Sequence, residues 1–167
     1  MEKPLRLRKA KIQDVGEIQE LINHHAAAGD MLPRSQSELY EALRDFFVIE
    51  RKTEIVACGA LHVAWKDLAE IKSLVVADTM QGQGLGKRIL AACLAEAKHL
   101  GITRIFALTY KPQFFIKQGF SRIDRSLLPH KIWTDCIKCV KFPDCNEIPV
   151  IIDLTEKKSA VKSNKTR

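Results

Sequence analysis

The chain has 167 residues, a length that suits one domain with a sizeable core. No apolar stretch approaches the roughly 20 residues of a membrane-spanning helix, and the first residues lack the apolar segment of a secretory signal; a soluble, intracellular, cytoplasmic protein with no membrane partner is expected. Of the formal net charge of +7, +4 belongs to residues 156–167, and the aromatic residues do not interleave with the basic ones, which argues against a nucleic-acid partner.

Leu5–Arg8 alternates apolar and basic residues and reads as a short strand. Asp14 is placed to cap a helix to about Ala27, with Val15, Ile18, Leu21 and Ile22 on one face, and Gly29 ends it. Pro33–Ser37 reads as a loop, with Ser37 placed to cap a helix through Leu43. Phe46–Glu50 and Ile55–Val63 flank the polar Arg51–Glu54, a hairpin pattern. Ala69–Val76 is the next strand. A helical pattern from Leu85 to Leu100 offers Ile89, Leu90, Cys93, Leu94 and Ala97 to a core and stops at Gly101. Arg104–Thr109 reads as a buried strand, and Pro112–Gln118 as a short helix opened by proline. Phe120 starts another strand, and Val150–Leu154 is a last β-rich run. This order predicts an α/β (α+β) domain over residues 1–155, a mixed, mostly antiparallel sheet with helices on both faces. The basic tail 156–167, with Val161 as its one large apolar residue, reads as disordered.

The most informative segment is Gln81-Gly82-Gln83-Gly84-Leu85-Gly86-Lys87, which joins a strand to a helix. Its glycines permit positive φ and close approach of a ligand, and the first helical amides have no intrahelical partner, so a phosphate or pyrophosphate is the natural guest. Lys87 is followed by Arg88 rather than Ser or Thr, which departs from a nucleotide P-loop, and glycines at 82, 84 and 86 miss the dinucleotide spacing. The spacing Gln81-x-x-Gly84-x-Gly86 resembles the acetyl-CoA pyrophosphate loop of the GNAT superfamily of N-acetyltransferases. Glu70–Val76 resembles that superfamily's fourth strand, and Phe114-Phe-Ile-Lys-Gln-Gly-Phe120 its Phe-Tyr-x-x-x-Gly-Phe segment.

The resemblance implies an acetyl-CoA-dependent acyltransferase with no metal cofactor. It implies a bulged fourth strand whose Leu74 and Val76 amides, with Val75 between them, hold the pantetheine arm and the thioester oxygen. It also implies Glu70 as general base; a carboxylate merely paired with Lys72 is the alternative. The superfamily tyrosine that protonates the leaving thiolate is replaced by Phe115, which has no proton to give. Tyr110 is the nearest substitute, or else a partly buried aromatic with a satisfied hydroxyl.

Three further segments, Leu32-Pro-Arg-Ser35, Leu108–Phe115 and Leu128–Cys136, resemble the single-domain form of the N-acetylglutamate synthases, over about Leu5 to Leu154. That resemblance implies acetylation of the α-amine of L-glutamate, the entry to arginine synthesis. A planar guanidinium suits a carboxylate, so Arg34, with Ser35 beside it, is the leading acceptor ligand; Lys72 and Lys131 are alternatives. Cys58 and Cys93 fall in apolar runs. Cys136, Cys139 and Cys145 could ligate a metal, with His130 or Asp144 as a fourth ligand, or remain reduced thiols. The competing readings are a metal-binding interaction module, an acetyl-CoA sensor without turnover, and an acetyltransferase for another amino acid or a protein amine. A homodimer is a candidate assembly.

Overall fold

The computed structural model describes residues 4–129, 132, 136–139, 141 and 144–155; the 156–167 tail lies outside them. Seven strands form one sheet in the order β1-β2-β3-β4-β5-β7-β6. They are β1 (Leu5–Lys9), β2 (Phe46–Arg51), β3 (Glu54–Trp65), β4 (Leu68–Val76), β5 (Arg104–Thr109), β6 (Ser121–Arg122) and β7 (Ile148–Asp153). All neighbours pair antiparallel except β4 and β5, which are parallel. Helices α1 (Val15–Ala27), α2 (Gln36–Glu41), α3 (Leu85–His99) and α4 (Pro112–Lys117) accompany the sheet. A parallel pair needs a crossover, and α3 supplies it between β4 and β5.

Alternation along β2 sends successive side chains to opposite faces. Phe47 and Ile49 join α3 and Phe115 of α4 in one core, while Phe46 and Val48 join α1 and α2 in the other. The sheet is thus covered on both faces, as the element order predicts. Cys58 and Cys93 are packed in these cores, and burial pushes the Cys93 thiol up to about 12.

Two caps differ from the sequence expectation. Asp14 sits at the start of α1, but its carboxylate takes Arg8 at 2.7 and 3.0 Å and the Lys11 N–H at 2.7 Å instead of capping. Arg8 also reaches Glu50 at 2.7 Å, so one guanidinium ties β1, β2 and the α1 start together. The cap of α2 is Ser35, not Ser37: its hydroxyl accepts the Glu38 N–H and Glu38 returns a bond to the Ser35 N–H. The reciprocal Ser-x-x-Glu pattern outcompetes the later serine. β7 begins at Ile148, two residues earlier than its apolar run suggests, because Thr109 and Leu108 of β5 extend the pairing past Pro149.

Candidate active site

β4 and β5 pair only over Leu68–Glu70 with Arg104–Phe106. Beyond Glu70 they part, while β5 stays with β7 as far as Thr109. A cavity of about 1360 Å³ opens at this gap, at the carboxyl ends of two parallel strands. Pockets for drug-sized ligands run roughly 300–1,000 Å³, so this one has room for a large ligand and a second small one.

β4 bulges where it borders the cavity. The register steps from Cys58↔Val75 to Ala60↔Lys72, so two residues on β3 span three on β4. Ser73 takes a positive φ of 53° there. Gly59 lies opposite, and a Cβ on it would stand 2.6 Å from Ile89 Cγ2 and 3.0 Å from Leu74 Cδ1. The Ala77 N–H donates to the Val56 carbonyl at 2.8 Å, across β3. Strand alternation then turns the Val75 amide the same way and the Val76 amide toward the gap, where β5 has diverged; Leu74 lies in the bulge itself, unpaired in the β3 register.

The glycine turn follows. Gly82 and Gly84 adopt φ of 75° and 76°, left-handed values that a side chain would strain. The Arg88 N–H is the first to bond within α3, at 3.0 Å to the Gly84 carbonyl, so the amides of Leu85, Gly86 and Lys87 head the helix without intrahelical acceptors. Gln81, Gly82, Gly84, Leu85, Gly86 and Lys87 line the cavity; Gln83 does not, and its amide turns to Met80 Sδ at 4.0 Å. The Gln81 side chain donates to the Val76 carbonyl and to Asp78 Oδ1, each at 3.3 Å, and so moors the turn to the end of β4. Phe115 lines the floor, buried edge-to-face between Phe114 and Phe120.

At the opposite wall, Arg34 Nε donates to Ser73 Oγ at 3.3 Å, and its guanidinium is 4.0 Å from Glu38. The Ser35 N–H holds the Glu38 carboxyl below its usual range. Ser35 borders the cavity, but its hydroxyl already serves α2. Glu70 and Lys72 stand 3.5 Å apart, both largely buried, so the pairing weighed from the sequence exists alongside any catalytic use. The Tyr110 hydroxyl accepts from Lys141 Nζ at 2.5 Å, and that bond raises the Lys141 pKa.

Cys136, Cys139 and Cys145 line this same cavity rather than a separate module. Arg125 donates to the Glu147 carbonyl at 2.7 Å and lies 3.8 Å from Cys145 Sγ. Burial pushes the Cys136 thiol and the Glu147 carboxyl up. Among the described residues the three sulfurs do not converge as a three-ligand group. Lys131 and His130 lie outside the described residues. Sequence reasoning missed Ser73, Glu38, Arg125 and Lys141. The bulge alone had a further signal, the isolated Gly59 inside a strand pattern.

Comparison with known proteins gives this geometry a family. Residues 16–120 match the Acetyltransferase (GNAT) family. An uncharacterised N-acetyltransferase of Chlorobaculum tepidum is 33% identical over 145 residues, 87% of this chain and 94% of that protein. An amino-acid acetyltransferase of Mycobacterium tuberculosis is 37% identical over 121 residues, 71% of this chain and 69% of that protein. Among solved structures, N-acetylglutamate synthase from Neisseria gonorrhoeae, complexed with coenzyme A and N-acetyl-glutamate, superposes with a TM-score of 0.82 at 28% identity, over 92% of this chain and 36% of that one. The chain belongs to the GNAT family: it is an acyltransferase with acetyl-CoA as co-substrate.

Proposed function

We propose that this acetyltransferase acetylates the α-amine of a free amino acid, L-glutamate, in the cytoplasm and at the entry to arginine synthesis. The observation that carries the reading is the cavity lining, which includes Arg34, bonded to Ser73 of the bulge, and Lys72, paired with Glu70. Glutamate brings two carboxylates, and two cations of this kind are matched to them. The relatives named as amino-acid acetyltransferases, and the gonococcal synthase solved with N-acetyl-glutamate, support the same substrate class.

Pyrophosphate rests on the amides of the glycine turn, and the thioester oxygen on an amide of the β4 bulge, where fixed donors stabilise the developing oxyanion. Glu70 takes the proton from the substrate ammonium through water, leaving a neutral amine. The amine nitrogen bonds the thioester carbon and gives its second proton to solvent, the C–S bond breaks, and the neutral amide and the thiolate leave. Lys141 occupies the oxygen of Tyr110 as an acceptor, so the phenolic proton is free to pass to that thiolate.

The test is release of CoA thiol across a panel of free amino acids and a peptide amine, with the acetylated product identified by mass spectrometry. Glutamate is expected to lead. Glutamine lacks the side-chain charge and should fall behind by about 1–3 kcal/mol in kcat/KM. Preference for a basic amino acid or the peptide would overturn the glutamate reading while leaving the acetyltransferase intact.

A further inference from the structure

Two histidines and an aspartate converge where α1 meets the approach to the cofactor turn. His24 and His25 lie in the last turn of α1, and Asp78 opens the short 3-10 turn after β4. His24 Nε2 is 2.9 Å from Asp78 Oδ2, and His25 Nε2 is 3.6 Å from Asp78 Oδ1. A donor atom from each of the three lies within 4.8 Å of the other two. In a tetrahedral zinc site with ligand bonds near 2.0–2.1 Å, neighbouring donors stand about 3.3 Å apart. The two separations straddle that spacing.

His25 adds an independent observation. Its side chain is 5% exposed, and its buried Nε2 has no hydrogen-bond partner among the described residues. Such orphans are rare because desolvation is uncompensated. The other ring nitrogen, Nδ1, faces Asp30 Oδ2 at 3.7 Å. With the proton on Nδ1, the Nε2 lone pair faces the Asp78 carboxylate, so two acceptors stand 3.6 Å apart. A cation resolves this arrangement, since it takes both. A carboxylate behind the imidazole is also what fixes the tautomer and orientation of a ligating histidine.

We propose that His24, His25 and Asp78 bind one divalent transition-metal ion of the zinc class, with Asp30 orienting His25 and the fourth position left to water. Two imidazoles and one carboxylate suit zinc over magnesium or calcium, which take oxygen ligands. The ion clips the end of α1 to the segment that enters the cofactor turn. Asp78 already accepts from the Gln81 side chain, so the clip bears on the first residue of that turn. It takes no part in the transfer chemistry.

The test is calorimetric titration of the chelator-treated full chain with Zn²⁺ alone, paralleled by Co²⁺ absorption. One saturable Zn²⁺ per chain is expected, with intense tetrahedral Co²⁺ bands and a rise in Tm on binding. His24→Ala and Asp78→Asn change exposed side chains, and their folding is checked by circular dichroism. Each should weaken binding by about tenfold or more, and Asp30→Asn by about tenfold. The combined Cys136→Ser, Cys139→Ser, Cys145→Ser variant should bind as the natural chain does. Binding unchanged in both His24→Ala and Asp78→Asn, binding lost only in the cysteine variant, or no saturable uptake at all would overturn the proposal.

Discussion

Gly84→Val separates backbone strain from ligand approach. Gly84 holds φ of 76°, and a Cβ there meets nothing within 4 Å. The cost to the free protein is therefore the left-handed backbone alone, roughly 1–2 kcal/mol for an L-residue, which lowers Tm by about 2–8 °C in a domain of this size. Gly101 supplies the control: its φ is 79°, it too has open space around the Cβ position, and it ends α3 away from the cavity. Gly101→Val should lose similar stability and keep its cofactor affinity. In Gly84→Val the new branch occupies the approach to the unpaired amides, so acetyl-CoA affinity by calorimetry should fall at least about tenfold, or 1.4 kcal/mol. Equal affinity in the two folded variants would refute the assignment of the turn.

Glu70→Gln keeps the shape but cannot accept a proton, so kcat should drop about 100-fold at neutral pH and recover as pH rises; a natural-type pH profile would place the base elsewhere. Tyr110→Phe should lower kcat by about tenfold with KM for acetyl-CoA unchanged, less than a general acid usually contributes because a thiolate leaves readily; full activity would remove Tyr110 from the mechanism. Arg34→Lys keeps charge but loses the planar fork, so KM for glutamate should rise while acetyl-CoA binding holds. Asp14→Asn should cost about 2–3 kcal/mol at pH 7 in denaturant melts, because it leaves Arg8 half-paired at a buried site. Since Arg8 depresses the Asp14 pKa in the folded state, that contribution is complete above about pH 4, the unfolded value, and fades as pH falls through the folded one; a stability gap that persists at low pH would contradict the ion pair.

The geometry of the glycine turn was legible because it is built from local, contiguous features. The glycines at 82 and 84 are needed for their own backbone angles, and the order strand, turn, helix aims the amides without help from distant residues. The acceptor end was less legible. The cysteines looked like a separate cluster because spacing along the chain does not reveal that all three line this cavity, with Cys136 packed on Leu128, Ile132 and Phe106. Asp14 had the residue type of a cap, but a buried guanidinium six residues away outbid the helix amides for its carboxylate. Ser37 lost to Ser35 because only Ser35 has a glutamate three residues on. Ser73 carries no composition signal at all; its position comes from the bulge, which the family resemblance of Glu70–Val76 implied and Gly59 on the neighbouring strand also marks.

The most direct test of the central claim is a crystal structure of the full chain with CoA and N-acetyl-L-glutamate bound together. The account predicts pyrophosphate oxygens within hydrogen-bond distance of the amides between Gly82 and Lys87, the sulfur beside the β4 bulge, and a product carboxylate on the Arg34 guanidinium. Pyrophosphate away from the glycine turn, or a product whose carboxylates avoid Arg34 altogether, would contradict it.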